Sequence, residues 1–319
     1  MTASDVTVVG AGPAGAATAT HLARAGLTVT LLDKATFPRG KPCGDGLTPR
    51  AVRELRLLGV DTSSWTRNIG LRIYAHRPYP YLLPWPGLRD FPPVGHVRRR
   101  EDFDLELARL AEGAGVTFLQ GTAVAGPILD GGRVVGVQAR DGRRFLSPVT
   151  VAADGNAARL GLALGLRRRD DRPVGVAVRA YYESPRHKED WLESWLELWD
   201  GTPGRSNLLP GYGWVFPMGD GTCNVGLGIL STSPAFGHTD YKALLRRWLA
   251  TTPDEWGFRE ANRVGPVRGA ALPMGFSRPP EYTRGLVTVG DAAGLISPFN
   301  GEGISYALES GRHAAGHIA

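Results

Sequence analysis

The first residues of the chain form a pattern of short apolar runs around a helical stretch. Val6 to Val9 is a β-branched run, residues 16–25 have the composition of a helix that Gly26 ends, and residues 27–33 form a second apolar run that ends in Asp33. Apolar runs of strand length on either side of a helical stretch favour the order strand, helix, strand. The pattern therefore predicts that the chain opens with an α/β unit.

Later stretches also alternate helices and strands, but the middle of the chain has a different pattern. Residues 100–119 predict an amphipathic helix and a strand, residues 134–155 a hairpin and a buried strand, and residues 285–311 a strand, a glycine-spaced loop and a helix. Between them, roughly residues 170–282 are richer in Trp, Tyr, Pro and alternating apolar runs, which indicates β-sheet. The predicted fold is thus α/β with an inserted antiparallel β-sheet domain.

One stretch of the middle fits two kinds of element. Trp191, Trp195 and Trp199 are spaced as on one face of a helix, but the run ESWLELW also reads as a strand. We favour a strand, because hairpin-like segments flank the run on both sides.

The turn after the first strand has the sequence GAGPAG. Gly10 permits a tight turn, Gly12 lets the backbone approach a pyrophosphate, and Gly15 lets the helix pack close to the strand. The helix start offers free N–H groups to phosphates, and Asp33 at the end of the second strand can accept hydrogen bonds from ribose hydroxyls. The alternative is a glycine-rich turn without chemical purpose, but such a turn would not need the acid. The pattern predicts dinucleotide binding.

Composition and charge narrow the function classes. The 319 residues are 42% hydrophobic and 21% charged, with a formal net charge of +6, which suits a globular protein with a sizeable core. A basic balance fits a phosphorylated ligand or an anionic membrane surface, but the sequence has no nucleic-acid-binding motif and no apolar run that could span a membrane. His313 and His317 lack a carboxylate partner, so we expect no metal site. Cys43 and Cys223 do not form a disulfide framework, and a reducing cytoplasm is the expected location.

Several motifs together resemble one group of flavoproteins. They are GAGPAG, the helix start from Arg100 to Asp104, ADG at 153–155 and GDAAG at 290–294, and they resemble the Rossmann-like FAD-dependent fold of aromatic hydroxylases, flavin halogenases and geranylgeranyl reductases. PCGDGL at 42–47 and PGYGWVFP at 210–217 resemble the geranylgeranyl reductase family. Within it, the similarity is greatest to the actinobacterial branch that saturates isoprenoid chains, including menaquinone tails.

The resemblance implies FAD as cofactor and assigns expected roles to individual residues. Gly10, Gly12 and Gly15 would hold the pyrophosphate and Asp33 the adenosine ribose, while Val124 would meet the adenine through its backbone. Arg100 would reach the flavin phosphate region, and Asp154 would support the pyrophosphate side. The residues expected on the flavin side are Asp291, which would bond a ribityl hydroxyl, and Gly301, Gly303 and Ile304, which would offer backbone N–H groups to the N1–C2=O edge.

The loop that carries Cys43 follows Asp33 and, in the family, approaches the reactive face of the flavin. Its glycines would let the backbone pass close to a flat ring. Cys43 is therefore a candidate for modulating flavin reactivity or for delivering a proton, and Asp45 is the second candidate acid, with simple packing as the alternative for Cys43. For Cys223 we expect packing. Tyr212, Trp214 and Phe216 would share one face of a strand and line an apolar substrate tunnel, with ordinary sheet core as the alternative.

The resemblance also implies a division of the chain. Residues 1–75, 96–169 and 283–319 would form a discontinuous FAD-binding domain, and residues 76–95 and 170–282 the substrate-binding β-sheet domain. Relatives usually continue beyond the last predicted helix, so we expect a C-terminal helical segment of the family to be missing. Ala158 stands where many relatives carry Ser.

The expected function is an FAD-dependent reductase that saturates double bonds of a polyprenyl substrate, either a geranylgeranyl diphosphate or lipid, or a menaquinone tail. The alternatives are an FAD-dependent monooxygenase or halogenase, although the Trp-x-Trp-x-Ile-Pro run of halogenases is absent, and a non-enzymatic flavin- or lipid-binding protein. NADPH, a ferredoxin or a deazaflavin could donate the electrons. Peripheral contact with the inner face of the membrane is compatible with the basic charge, whereas nucleic acid is not expected as a partner.

Overall fold

The computed structural model of the chain describes residues 2–77 and 79–319. Helices form in the three stretches where the sequence predicted them, but Pro49–Leu58, Arg159–Ala163 and Tyr241–Leu249 were not predicted, and Tyr241–Leu249 lies in the stretch that was expected to be β-sheet. The bounds of the helices are Pro13–Arg24, Pro49–Leu58, Arg100–Gly113, Arg159–Ala163, Tyr241–Leu249 and Ile304–Ile318, with single 3₁₀ turns at Gly155–Ala157, Pro185–Lys188, Asp254–Trp256, Glu260–Asn262 and Gly290–Ala293.

A mainly parallel sheet, here called the parallel sheet, forms the centre of the α/β part. Its strands, in spatial order, are Tyr282–Thr283, Leu286–Thr288, Val149–Ala152, Val6–Val9, Val29–Leu32 and Thr117–Leu119. One face packs against the helices that begin at Pro13, Arg100 and Ile304, through a core that contains Val8 and Leu31. The other face packs against a small sheet of Thr2–Ala3, Arg144–Leu146, Arg133–Ala139 and Val124–Asp130.

A second large sheet, here called the mixed sheet, occupies the middle of the chain. Its strands, in spatial order, are Arg263–Pro273, Val174–Glu183, Thr222–Leu230, Gly211–Pro217, Trp191–Trp195, Gly70–Tyr74 and Tyr81–Pro84. Most pairs are antiparallel, as predicted, but Trp191–Trp195 runs parallel to Gly70–Tyr74. The remaining strands pair in two short sheets, Leu198–Trp199 with Leu208–Leu209, and Gly46–Leu47 and Thr66–Asn68 with Gly95–Val97.

The two faces of the mixed sheet have different environments. Alternate residues, among them Val215 and Val225, pack against helix Tyr241–Leu249 in a closed core. Gly213 belongs to this face because a Cβ there would lie 2.5 Å from the ring of Trp248. The opposite face, which carries Phe216, contacts the loop around Cys43. The mixed sheet is therefore packed on one side and turned toward the α/β part on the other.

The run ESWLELW, predicted as one strand, forms parts of two strands, Trp191–Trp195 and Leu198–Trp199, with a break at residues 196–197. Trp191–Trp195 is a strand, and its Trp195 ring stacks on the Tyr74 ring of the neighbouring strand, with centroids 3.9 Å apart. Gly70–Tyr74 hydrogen-bonds into the mixed sheet, although the predicted division placed these residues in the FAD-binding domain. The division between the two domains otherwise stays a prediction. Among the described residues, no helix combines the length and apolarity that crossing a bilayer requires.

Candidate functional site

Two glycines of the GAGPAG turn are required by close backbone packing. A Cβ on Gly15 would lie 1.8 Å from the carbonyl oxygen of Gly10, and a Cβ on Gly10 would lie 2.3 Å from the carbonyl oxygen of Ala153. Gly10 also has a φ of +103°, which residues with side chains rarely adopt. The turn therefore joins the first strand, the first helix and the ADG motif in one close-packed unit.

Gly12 differs from these two glycines because the space above it is open. A Cβ there would have only the Arg39 Nη2 atom within 4 Å, at 3.7 Å. Helix Pro13–Arg24 begins directly after Gly12, and no side chain caps its first turn. The unpaired N–H groups of a helix start favour a phosphate at this position. The open approach over Gly12 thus fits the pyrophosphate of a dinucleotide.

Asp33 is held in place by backbone N–H groups. Its Oδ2 atom accepts a 2.9 Å hydrogen bond from Ala11 N, and its Oδ1 atom accepts one of 2.9 Å from Ala35 N. A carboxylate has about four lone-pair sites, so these bonds leave acceptors for ribose hydroxyls. The Asp33 carbonyl accepts from Thr122 N at 2.7 Å, and strand Val124–Asp130 starts two residues later. Val124 therefore follows a segment that lies directly beside Asp33.

Arg100 shares a buried carboxylate with a second arginine. Its guanidinium donates from Nε and Nη2 to the Asp104 carboxylate at 2.8 Å each, and both side chains are buried. Arg39 binds the same carboxylate at 2.8 Å and comes within 3.6 Å of Asp33 Oδ2. Arg39, which the sequence analysis did not single out, is thus the guanidinium that lies above Gly12. A role for Arg100 at the phosphate stays a prediction.

Asp154 carries an acceptor without a partner. Its Oδ2 atom accepts from Leu160 N at 3.2 Å, whereas its buried Oδ1 atom has no hydrogen-bond partner in the protein. Burial raises the pKa of Asp154. A Cβ on Gly10 would lie 3.2 Å from the Asp154 Cα atom, so this unpaired acceptor belongs to the same turn.

The loop of residues 37–48, here called the cysteine loop, is fastened to the residues predicted on the flavin side. Lys41 Nζ lies 3.0 Å from Asp291 Oδ2, and the Thr48 hydroxyl donates to the Glu302 carboxylate. Helix Ile304–Ile318 begins one residue after Gly303, and a Cβ on Gly303 would lie 3.6 Å from Asp291 Oδ1. Asp291, Gly303 and Ile304 therefore lie close together, at a helix start, beside the cysteine loop.

Asp45 is fully buried in an unusual backbone conformation. It has a φ of +64°, and its Oδ2 atom accepts hydrogen bonds from the Tyr181 hydroxyl at 2.5 Å and from Asn224 Nδ2 at 2.8 Å. Its Oδ1 atom is buried without a partner in the protein. Burial raises the pKa of Asp45, against the opposing effect of these hydrogen bonds and of Arg179. The carboxyl group can therefore hold a proton at Oδ1 above the usual pH range of an aspartate.

Asn224 connects three of the predicted site residues. Its Nδ2 atom donates to the Cys43 carbonyl and to Asp45 Oδ2, both at 2.8 Å, and its Oδ1 atom accepts from Trp214 Nε1 at 3.0 Å. The sequence analysis missed Asn224, although a buried amide within the apolar run CNVGLGIL was a usable signal. The hairpin register sets Asn224 opposite Phe216, on the face turned toward the cysteine loop.

The strand Gly211–Pro217, here called the aromatic strand, links both loops. Its aromatic side chains share one face, with neighbouring ring centroids 6.2 and 6.3 Å apart. The Tyr212 hydroxyl donates to the Asn300 carbonyl at 2.5 Å, next to Gly301. At the other end, Cβ atoms on Gly44 and Gly46 would lie 3.1 and 3.0 Å from the Phe216 ring. The loop glycines thus allow close packing on Phe216, a reason that the sequence analysis did not foresee.

The two cysteines have opposite environments. Cys43 is partly exposed, its Sγ atom accepts a hydrogen bond from Asp45 N at 3.4 Å, and it packs against an apolar cluster whose members include Leu47 and Phe103. Cys223 is fully buried on the closed face of the mixed sheet, where burial raises the pKa of its thiol to about 12. Cys223 therefore packs as predicted, whereas Cys43 is partly exposed and is hydrogen-bonded to Asp45 and Asn224.

Comparison with known proteins agrees with this geometry. Residues 3–319 match the FAD binding domain family. The chain is 42% identical to a menaquinone reductase of Mycobacterium tuberculosis, over 98% of this chain and 76% of that protein. It is 30% identical to a digeranylgeranylglycerophospholipid reductase of Picrophilus torridus, again over 98% of this chain and 76% of the relative.

Solved structures extend the comparison to the fold. A geranylgeranyl bacteriochlorophyll reductase-like protein of Thermoplasma acidophilum superposes with a TM-score of 0.85 at 28% identity, covering 100% of this chain and 78% of that one. Flavin-dependent halogenases have the same fold at 23% identity or less, which is a likeness of fold alone.

Proposed function

Because the chain belongs to the geranylgeranyl reductase family of FAD-binding oxidoreductases, we propose that it reduces double bonds of a polyprenyl chain. The substrate would be a menaquinone tail or a geranylgeranyl diphosphate or lipid, in keeping with the names of its relatives. The observation that carries the proposal is the fully buried Asp45 carboxyl group. The backbone N–H of Asp45 donates to Cys43 Sγ, and its carboxylate accepts a hydrogen bond from Asn224.

The reaction needs a proton as well as a hydride. Bound and reduced FAD supplies the hydride, and an isolated alkene accepts it only if a proton reaches the other alkene carbon. Asp45 is suited to hold that proton, because burial raises the pKa of its carboxyl group and Oδ1 has no partner. Cys43 is partly exposed where Asp45 is not, so in this proposal Cys43 contacts the alkene and Asp45 is the proton reservoir.

Residues of the α/β part would hold the cofactor. Gly12 and the start of helix Pro13–Arg24 would bind the pyrophosphate, with Arg39 as a counter-charge above the turn. Asp33 would bind the ribose, and the unpaired Oδ1 of Asp154 would accept a hydrogen bond from a water that is bound to the phosphates. On the flavin side, Asp291 and the backbone of Gly301, Gly303 and Ile304 would orient the ring.

The open face of the mixed sheet would hold the substrate. Tyr212 and Phe216 are partly exposed on this face, between the cysteine loop and Asn300. Each buried CH₂ group of a prenyl chain contributes about 0.8 kcal/mol, so even two isoprene units supply several kcal/mol of gross binding free energy. Trp214 is buried and hydrogen-bonded to Asn224, so we assign it to the support of this face.

A peripheral contact with an anionic membrane is also part of the proposal, because the net charge is +6 and prenyl lipids reside in membranes. NADPH, a ferredoxin and a deazaflavin are the candidate electron donors. The FAD-loaded protein is mixed with each donor in turn under anaerobic conditions, and the loss of flavin absorbance is measured. The donor that causes this loss is the one that reduces the bound FAD.

The test of the proposed function is product analysis by mass spectrometry. FAD-loaded protein, reduced under anaerobic conditions, is incubated with geranylgeranyl diphosphate and separately with menaquinone. Products that gain two hydrogen atoms per reduced bond support the proposal. Products that depend on oxygen or halide, without saturation under anaerobic conditions, would replace it with the monooxygenase or halogenase alternative.

Mutants of Cys43 and Asp45 test whether both residues take part in the reaction. Cys43→Ser and Asp45→Asn should both keep FAD bound and slow the reoxidation of reduced flavin by substrate, measured by stopped flow. Cys223→Ala is the matched control, because this thiol lies on the closed face of the mixed sheet. Unchanged reoxidation in both mutants would assign Cys43 and Asp45 to packing.

A further inference from the structure

The outer edge of the mixed sheet is a hairpin with exposed apolar side chains on both faces. Strand Tyr81–Pro84 pairs on one side with Gly70–Tyr74 and ends the sheet on the other. Leu82 is 53% exposed, Leu83 49% and Leu88 55%, and Tyr79 is exposed as well. Folded chains rarely leave several large apolar side chains together in water unless something binds them.

This edge lies in the same row of side chains as the candidate site. Leu83 is opposite Leu71, Leu71 is opposite Leu192, and Leu192 and Phe216 are neighbours on adjacent strands. Residues opposite each other on neighbouring strands share a face of the sheet. Leu71, Leu192 and Phe216, together with Trp85, form one apolar cluster. Three strand spacings, about 14 Å in all, therefore separate the exposed edge from Phe216.

The hairpin is poorly suited to pair with another strand. Prolines stand at positions 80, 84 and 86, and proline cannot donate a backbone hydrogen bond to a neighbouring strand. Trp85 N and Nε1 are engaged with the Ile69 carbonyl and with Asn68 Oδ1. Prolines of this kind protect sheet edges against pairing with a second copy of the chain. An occupant of this edge must therefore bind through side chains.

The charges around the hairpin favour an anionic surface. Residues 67–91 contain four arginines, at positions 67, 72, 77 and 89, and one acid, Asp90. Arg72 is paired with Glu189 and Glu193, whereas Arg67 and Arg89 are exposed. Aromatic residues beside exposed leucines and arginines are typical of segments at the boundary between lipid and water.

We propose that the segment of residues 79–91, which contains the edge strand Tyr81–Pro84, docks on the surface of an anionic lipid bilayer, with Leu82, Leu83 and Leu88 in the apolar layer and Arg67 and Arg89 among the phosphates. Docking in this way brings the bilayer next to the apolar cluster that ends at Phe216. That this position would let a prenyl lipid pass from the bilayer to the site rests on the proposed function. The docking itself does not.

Vesicle binding tests the docking without any catalytic measurement. The FAD-loaded protein is mixed with vesicles of phosphatidylcholine alone or with phosphatidylglycerol, and the bound fraction is measured by sedimentation. We expect binding to the phosphatidylglycerol vesicles that weakens with salt, because exposed charges are screened. The double variant Leu82→Asp/Leu88→Asp should weaken it by about tenfold or more, since each leucine loses its apolar contact.

The matched control is Leu129→Asp, which changes a leucine of 54% exposure in the small sheet of the α/β part. It should bind vesicles like the unaltered protein, and both variants should keep their FAD. No vesicle binding by the unaltered protein, or equal weakening by the control, would overturn the proposal. A change of oligomeric state caused by the double variant, with vesicle binding unchanged, would replace the bilayer with a second copy of the chain.

Discussion

The Tyr181 hydroxyl donates a 2.5 Å hydrogen bond to the Oδ2 atom of Asp45, although the two residues are 136 positions apart in the sequence. Guanidinium groups of Arg99 and Arg179 lie 4.2 and 4.3 Å from the Tyr181 ring centroid. Tyr181 is therefore held by two cations while it contacts the buried acid. The pKa of Asp45 depends on the hydrogen bond from Tyr181 and on the charge of Arg179, so mutations can test it.

Asp45→Asn tests the raised pKa through its effect on stability. Because the folded-state pKa of Asp45 lies above the ordinary value of 3.8, the folded chain keeps this proton at pH values where the unfolded chain has lost it. The contribution of Asp45 to stability is thus complete below the unfolded pKa and is lost as pH rises through the folded pKa. We expect Asp45→Asn to become more stable relative to the unaltered protein as pH rises through this window, in urea unfolding. A stability difference that is independent of pH would contradict the assignment.

Tyr181→Phe should move the pH dependence of the reaction. The hydrogen bond from Tyr181 lowers the pKa of Asp45, so its removal raises that pKa further. If Asp45 must be protonated, the rate of substrate-driven flavin reoxidation falls at high pH, and in Tyr181→Phe this fall should occur at a higher pH. The loss of one hydrogen bond should cost about 1 kcal/mol of stability, with FAD still bound. A fall at the same or at a lower pH would count against Asp45 as the proton source.

Asn224→Ala should disturb three site residues together. It leaves Trp214 Nε1 without its acceptor and removes the donor to the Cys43 carbonyl and to Asp45. Because Asn224 is fully buried, we expect a loss of about 2–4 kcal/mol in unfolding free energy and a large loss of activity. Cys223→Ala, one residue away on the closed face, is the control: it should lose some stability but keep its activity. Equal losses of activity in both variants would refute the role of Asn224.

Gly12→Ala and Gly15→Ala should fail for different reasons. A Cβ on Gly12 meets only the flexible end of Arg39, so the apoprotein should keep its thermal stability while FAD binding is lost or greatly weakened. A Cβ on Gly15 would overlap the carbonyl of Gly10, so Gly15→Ala should destabilise the apoprotein itself. Thermal unfolding with and without FAD, together with flavin fluorescence, measures both effects. Tight FAD binding by Gly12→Ala would place the pyrophosphate elsewhere.

Local pattern was enough to predict the elements around the glycine-rich turns. The strand, turn and helix around Gly10 follow from short apolar runs and glycines that are close in sequence, and the strand around Trp195 from the hairpins beside it. What local pattern could not supply is the register between distant strands. Asn224 reaches Asp45 across 179 positions only because three strands of the mixed sheet align with the cysteine loop.

The contacts of single residues were hard to predict for the same reason, because they depend on segments that are distant in the sequence. A role for Arg100 at the phosphate stays a prediction, but nothing in the sequence indicated that Asp104 binds both Arg100 and Arg39 in the interior. Which guanidinium groups share a buried carboxylate depends on tertiary packing. Gly44 and Gly46 were expected to approach a flat ring, and the ring that they contact within the protein is that of Phe216.

The different environments of the two faces of the mixed sheet have a consequence for how this enzyme can be altered. Along the aromatic strand, Tyr212 and Phe216 face the site, whereas Gly213 and Val215 face the closed core. Under the proposed function, the residues that contact the prenyl chain and the residues that hold the sheet together alternate along the same seven-residue strand. The proposal then predicts that changes confined to Tyr212 and Phe216 alter the preference for prenyl chain length while the closed core stays as it is.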